Sequence, residues 1–495
     1  MPERSPMGGR RLLWIHQNFV SARQTGISRA VYLLTALVEA GWTVDLVCPR
    51  TGYLDEALDA ELSEYVIERE GGLRLHRLGH PKGLSTMRSE ERGKSYFGFN
   101  RQALTYIRRN IPRADLIFAS SPPLTVLLPA LELSIRWGAP LLMELRDLWP
   151  AMLVEANLVR NPLVIAIMEL FEGVCYHYAE HLIPVAPAFG TYLEAFGVPR
   201  SKISVNPTGG DPTFGQVDQS AGESWRKSQG LEGRFIALFT GSMNEISNVD
   251  RLLEAAALAE TRCPGVVWVF AGNGRLRPQI EEAAQRGRNV RYLGALPRDA
   301  MPTLYAAADV GLISRSPWPL EEAVYPGKLF DYLSAGLPVV STHLGQPASV
   351  IAAADCGEVL RDRSPQAMVS AVESMVVRSA EERRTMGLRG QRWLLEEMNA
   401  FRMGEELRAI VERPWPRRST GARMLRFLGA GLTGIGALLA GRPRHAVQSV
   451  TGSDREAVIQ RAFQTWFSRR DQAAPRAADY SVRMPGILSA RDTEP

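Results

Sequence analysis

Tyr325-Pro-Gly-Lys-Leu-Phe-Asp-Tyr-Leu-Ser-Ala-Gly-Leu-Pro-Val-Val340 decides the reading of this chain. Pro326-Gly327 makes a tight turn, the residues after it have helical composition, Gly336 stops the helix, and Pro338-Val-Val runs into an apolar strand. Lys328 and Asp331 stand three apart, so they are expected on one face of that helix. A helix that starts at Pro-Gly offers free backbone N–H groups and the positive end of its dipole to an anion. A carboxylate one turn further on can accept from two adjacent hydroxyls at once. Together the two features suit a ligand carrying both a diphosphate and a vicinal diol, as a nucleotide-sugar does.

Outward from this stretch, short apolar strands alternate with helices. Strands are expected at 12–16, 43–48, 73–78, 115–119, 141–145 and 182–185, with helices at 26–40, 99–109 and 162–179. The same rhythm restarts with strands at 235–240, 266–271, 290–293, 310–314 and 338–341, and helices at 249–259, 276–284 and 301–307. Continuous apolar strands of this kind predict two parallel sheets covered on both faces, with ligands at the carboxyl ends of the strands. The expected division is a first domain over 1–214, a polar linker over 215–233 and a second domain over 234–380. Closing amphipathic helices over 381–413 and a basic, apolar tail over 414–495 complete it.

At 495 residues the chain is too long for one core. Its 45% hydrophobic and 22% charged residues are ordinary for a globular protein. A net charge of +5 is small for this length, and no nucleic-acid partner is expected. Cys48, Cys175, Cys263 and Cys356 are scattered without a Cys-x-x-Cys pair, which argues against a zinc site or disulfide framework and for a reducing compartment. No Asp-x-Asp follows a strand and no His/Cys/Asp cluster has ligand spacing, so neither a metal nor another cofactor is expected. The apolar run before His16 is too short for a signal-peptide core and reads as a first strand, so a cytoplasmic protein is expected.

From Arg413 to Arg444 seven arginines and no acid surround the uncharged run 427–440. That run alone is too short to span a bilayer. Apolar residues with basic flanks fit a peripheral anchor on an anionic membrane surface through 413–444, the alternative being a helix packed on the protein with solvated arginines. From Asp471 onward the composition predicts disorder.

The stretch from Lys328 to Val340 resembles the donor-site signature of family-4-type retaining glycosyltransferases of the GT-B fold. It is most like the branch whose signature runs Pro-x-Lys-[Leu/Ile]-Phe-Glu-Tyr-[Leu/Met]-Ala-Ala-Gly-Lys-Pro-Val. Leu145-Arg-Asp-Leu-Trp-Pro150, Gly26 before a long helix and Thr208-Gly-Gly-Asp-Pro-Thr-Phe214 fit the same family. Phe239-Thr-Gly-Ser242, Phe270-Ala-Gly-Asn-Gly274 and Tyr292-Leu-Gly-Ala-Leu296 complete the pattern, in order, over about residues 11–412.

The resemblance implies two Rossmann-like domains facing a cleft, with the donor on the second and the acceptor on the first. It implies a hexosyltransferase that retains anomeric configuration, in which the departing diphosphate assists front-face attack and no enzyme nucleophile takes part. The donor would be a UDP-sugar of a hexose or N-acetylhexosamine. The acceptor would be a cell-envelope or exopolysaccharide glycan, with a polyprenyl-linked one fitting the basic tail.

By the same resemblance, Asp331 takes the place of the motif's second Glu, at the ribose hydroxyls. Lys328, by charge and by its position in the first turn, is the expected diphosphate contact, with Gly327 and Leu329 also lining the donor. Gly241, Ser242, Asn244, Gly272, Leu296 and Arg315 line the donor. The motif's first Glu falls on Ala323, with Glu321 and Glu322 as neighbouring substitutes. Ser242 and Ser247 stand where the family carries an Arg and a Lys, so leaving-group stabilisation is expected from Lys328, Arg315, the Gly241 turn and Arg146. Arg146 replaces a His of many relatives, with Asp147 as its partner or as a sugar-hydroxyl acceptor. His16 and Gly26 complete the acceptor side. The rival readings are a GT-B nucleotide-sugar 2-epimerase, a transferase acting on a soluble small molecule, and a non-catalytic GT-B scaffold.

Overall fold

The computed structural model describes residues 9–19, 29–49, 65–79, 89–216, 219–287 and 289–470. Its first sheet contains β1 (Arg11–His16), β2 (Thr43–Pro49), β3 (Tyr65–Glu70), β4 (Leu73–Leu78), β5 (Leu116–Ser121), β6 (Leu141–Leu145) and β7 (His181–Pro184). They lie in the order β3-β4-β2-β1-β5-β6-β7, all parallel except β3, which pairs antiparallel with β4. The second sheet contains β8 (Phe235–Ser242), β9 (Val266–Asn273), β10 (Val290–Tyr292), β11 (Val310–Ile313), β12 (Val339–Ser341) and β13 (Gly357–Val359). Its order is β10-β9-β8-β11-β12-β13, parallel throughout. Central strands are apolar without alternation because helices cover both faces: Leu12, Leu13, Trp14 and Ile15 of β1 are all fully buried. This is the doubly wound, two-domain architecture expected from the sequence.

Several expectations are corrected. β3 and β13 carry no apolar run that would mark them. The stretch read as a linker contains the helix Gln219–Ser228. There Arg226 ties the helix to the second domain through the carbonyls of Ala307 and Arg234 and an ion pair to Asp309 at 2.7 Å.

The closing helices after residue 380 are two, Ala380–Glu397 and Ala400–Val411, divided where the Asn399 side chain caps the second by accepting from Phe401 N–H. The second of these returns to pack on Arg29–Glu39 in the first domain. The two helices explain Gly209-Gly210: a Cβ on Gly209 would lie 2.5 Å from Ala400 Cα of the second, and one on Gly210 would lie 2.3 Å from Leu394 Cδ2 of the first.

The tail is helical as far as it is described, in Thr420–Leu439, Arg442–Thr451 and Arg455–Arg470. The first tail helix packs on Pro162–Tyr178 of the first domain. The second packs on Pro187–Phe196, and the third reaches both that helix and Gln346–Ala354 of the second domain. Trp393 stacks on Phe467 at 6.2 Å and 7° between ring planes, a contact worth about 0.5–1.5 kcal/mol beyond area burial.

The arginines read as basic flanks for an anionic membrane, or alternatively as solvated, are largely engaged by the protein. Arg423 is wholly buried and 2.7 Å from Glu180, which Arg426 and Arg418 also approach at 3.1 and 3.5 Å. Arg417 pairs with Asp115. The uncharged run is extended by Thr420–Arg426 into a 20-residue helix, long and apolar enough to cross a membrane by length and composition. Gly26 and the residues from Asp471 lie outside the described residues.

Candidate functional site

The motif helix, Gly327–Ser334, begins after Pro326, opposite the turn that ends β8. Two glycines let that turn lie against β9. Gly241 has φ of +107°, and Gly272, at +147°, would place a Cβ 1.9 Å from Gly241 O. Into this turn runs Lys328. Its Nζ sits 3.5 Å from the centroid of the Phe239 ring, and a Cβ on Gly241 would be 3.7 Å from Nζ. The ammonium is buried and has no hydrogen-bond partner among the described residues. Burial first, then the charge of Arg315, pushes its pKa well below the usual lysine value.

Arg315, just past β11, has its Nη2 2.5 Å from Glu321 Oε2, while its Nε is buried without a hydrogen-bond partner among the described residues. His343, just past β12, was not foreseen from the sequence. Its Nε2 is 2.5 Å from the Glu321 carbonyl oxygen, which leaves Nδ1 buried and unpartnered among the described residues. Burial, followed by Arg315, holds its pKa well below the ordinary value, so the ring is neutral. Lys328, Arg315 and His343 thus bring three unsatisfied nitrogens to the carboxyl ends of β8, β11 and β12. The only sequence signal for His343 was its place immediately after an apolar strand.

Asp331 does not share this spot, although it lies one turn from Lys328. The Tyr305 hydroxyl donates to it and Arg298 stands beside it, so it turns to the other side of the helix. There it lines a small pocket with Gly327, Arg298 and Asp211, and with Arg29 and Tyr32 from the first domain. Arg298 pairs with Asp211 at 3.0 Å. Burial raises the Asp331 pKa to about 6, against the pull of Arg298.

Leu329 offers no free donor: its side chain is in the core and its N–H donates to Pro326 O at 3.0 Å. The Asn244 side chain accepts from Ser247 N–H and holds its own turn, while the Ser247 side chain is buried. Ser242 is half-buried, and Leu296 packs partly buried against the core.

Glu322 is not available to a sugar. It is almost fully buried, and accepts from Arg363 Nη2 at 2.7 Å and from Arg455 Nε of the tail at 2.9 Å. Ala323 lies in the core.

On the facing domain, Arg146 turns to His16 rather than to Asp147, with Nη1 3.0 Å from His16 Nε2. A guanidinium only donates, so this His nitrogen accepts. Burial, then Arg146 and Arg29, keeps His16 neutral by lowering its pKa. Asp147 faces Glu321 and Arg315 across the cleft. Burial and the Glu321 charge raise its pKa to about 7. A second cross-domain contact joins Glu155 Oε2 to Leu320 N–H at 3.1 Å.

The Asp147 shift has a defined stability consequence. An acid whose folded pKa exceeds its unfolded value loses stability as pH rises between the two, here from about 4 to about 7, and gains none back above. Asp147→Asn is expected to raise the melting temperature at pH 8 and leave it unchanged at pH 4. Scanning calorimetry at both values checks this, and an equal effect at the two would contradict it. Among the described residues, no group of three or more His, Cys, Asp and Glu could hold a metal ion.

Two parallel-sheet domains that face each other across cationic and carboxylate groups at their strand ends define a glycosyltransferase of the GT-B type. The chain carries both halves of the family-4-type glycosyltransferases. The family model described as "Glycosyl transferase 4-like domain" matches residues 25–209, and "Glycosyl transferases group 1" matches residues 234–377.

Among solved structures, sucrose-phosphate synthase from Thermosynechococcus elongatus superposes with a TM-score of 0.65 at 17% identity, over 82% of this chain and 98% of that one. Anabaena HepE in complex with UDP-glucose gives 0.57 at 16% identity, over 81% and 98%. An E. coli trehalose-6-phosphate protein bound with UDP-2-fluoro glucose gives 0.61 at 13%, over 82% and 100%. At these identities the likeness is one of fold. Spore coat protein SA of Bacillus subtilis (strain 168) is 25% identical over 260 residues, 48% of this chain and 67% of that protein.

Proposed function

We propose that this chain transfers a hexosyl or N-acetylhexosaminyl group from a UDP-sugar, with retention and without a metal ion, to a cell-envelope or exopolysaccharide acceptor held at the inner face of the membrane on a polyprenyl carrier. The observation that carries the reading is the Lys328 ammonium, buried and unpartnered among the described residues, aimed at the Gly241 turn beside the start of the motif helix. A buried cation without a protein counter-charge is costly, and a diphosphate supplies that charge. The UDP and UDP-sugar complexes of structural neighbours support the choice of nucleotide.

In the reaction, the bond between the anomeric carbon and the diphosphate oxygen breaks and its electron pair stays on UDP. The acceptor oxygen bonds to the anomeric carbon from the same face, and its proton passes to the departing diphosphate. Lys328 and Arg315 stabilise the negative charge as it develops, the work that elsewhere in the family falls to an Arg and a Lys. Arg146, oriented by His16, reaches toward the same charge from the first domain.

The test is a panel of nucleotide-sugars offered to the purified full-length chain. A UDP-sugar is expected to raise the melting temperature and to release UDP slowly by hydrolysis, since only ligands favouring the folded state raise it. If no donor binds, with or without a lipid-linked acceptor, the reading fails. The scaffold alternative then stands, favoured by Glu322 being spent on Arg363 and Arg455.

A further inference from the structure

The first tail helix, Thr420–Leu439, is packed inside out for a protein in water. Its small residues Ala430, Gly434 and Ala437 face inward, and its large apolar residues, Phe427 and Leu438 apart, face outward. Leu425, Leu432 and Leu439 are 71%, 73% and 83% exposed, with Leu428 and Ile435 exposed between them. The seam lies on Pro162–Tyr178 at backbone distance: a Cβ on Gly173 would come within 3.2 Å of Gly434 Cα. That helix adds exposed Leu163, Val164 and Ile167. Gly434 lies against Gly173, and Arg426, eight residues earlier in the tail helix, donates to the carbonyl of Tyr178, five residues later in its partner. The two helices therefore run antiparallel, and their exposed apolar residues lie side by side.

In water, burial favours the opposite arrangement, with leucines inward. Glycine seams with large side chains outward are how helices pair when the surrounding medium is itself hydrocarbon. Exposed apolar side chains gathered on one face in this way mark an interaction surface. The charge pattern selects which one. Arg442 and Arg444 are exposed at the end of the face, and no acid occurs between Arg413 and Ser453.

We propose that Pro162–Tyr178 and Thr420–Leu439 form a two-helix face that beds into one leaflet of an anionic membrane. The tail helix lies along the surface rather than crossing, because the glycine seam and the Arg423–Glu180 pair bind it lengthwise to the first domain. The proposal deepens the reading of a lipid-linked acceptor, and it can be tested without turnover.

The experiment is flotation of the full chain with vesicles of phosphatidylglycerol and phosphatidylcholine, compared with phosphatidylcholine alone. The protein is expected to float with the anionic vesicles. Leu432→Glu combined with Ile167→Glu should lower the bound fraction about tenfold or more, while melting temperature and UDP-sugar hydrolysis stay as in the wild type. Arg442→Glu with Arg444→Glu should weaken binding to the anionic vesicles alone. Val377→Glu, at an exposed apolar site on the second domain, should change nothing. The proposal is overturned if the wild type stays in the unbound fraction, or if the Leu432→Glu/Ile167→Glu protein floats equally well. It is also overturned if that pair of changes converts a dimer to a monomer, because a second copy would then be what covers the face. Failure of flotation with donor hydrolysis intact would sink the membrane face and leave the transferase reading standing.

Discussion

Replacing Lys328 with methionine is expected to lower turnover of the UDP-sugar by roughly 100- to 1,000-fold, the usual cost of removing one preorganised donor from a developing anion. The same change should raise the melting temperature. Methionine fills the space against the Phe239 ring with favourable sulfur–aromatic contact and removes a buried amino group that no described residue hydrogen-bonds. Opposite signs for activity and stability distinguish a ligand-binding lysine from a structural one, whose loss would lower both.

A pH signature accompanies it. Burial and Arg315 depress the Lys328 pKa in the free protein, and a bound diphosphate raises it. Binding therefore takes up a proton at pH values between the free and the bound pKa, and UDP affinity falls as pH rises across that window. Calorimetric titrations in buffers of different ionisation enthalpy read that proton directly. It should vanish in Lys328→Met, and activity close to wild type in that variant would remove Lys328 from the diphosphate site.

Glu322→Ala is expected to cost about 3–5 kcal/mol of stability, because it removes the buried carboxylate that both Arg363 and Arg455 bond. Converting Arg363 and Arg455 to methionine in the same chain should recover much of the loss, since an uncharged filling often matches a buried ion pair. Denaturant unfolding of the single and combined variants measures both. Were Glu322 instead a ligand of the donor sugar, Glu322→Ala would keep its melting temperature and lose turnover.

Strand and helix alternation was legible because parallel strands buried on both faces have no polar positions to blur them, as in Leu12–Ile15 and Val266–Phe270. The motif helix was legible from its own punctuation, Pro326-Gly327 before and Gly336 after. β3 was not, because half of Tyr-Val-Ile-Glu-Arg-Glu is charged.

At the site, spacing placed Lys328 and Asp331 on one face, but the side chains part company. Phe239 draws one away and Tyr305 and Arg298 draw the other, and both attractions come from residues remote in sequence. The fate of Glu322 was illegible for the same reason: no local pattern announces a partner 133 positions away. Composition marked the tail as apolar and basic. It could not say that glycines would face the protein and leucines the outside, since that depends on Gly173 in another helix.

The clasp between Glu322 and Arg455 also sets an order of events on the ribosome. Both sheets are complete once β13 has emerged, and every residue of the motif has been made by then. The donor loop nevertheless still carries an acid whose second counter-charge lies far downstream. That charge belongs to the third tail helix, which packs on both the first domain and Gln346–Ala354 of the second. The loop on which the donor site depends is thus among the last parts of the molecule to acquire its final form. A chain cut anywhere between Val359 and Arg455 would keep the whole signature and lack the residue that holds it in place.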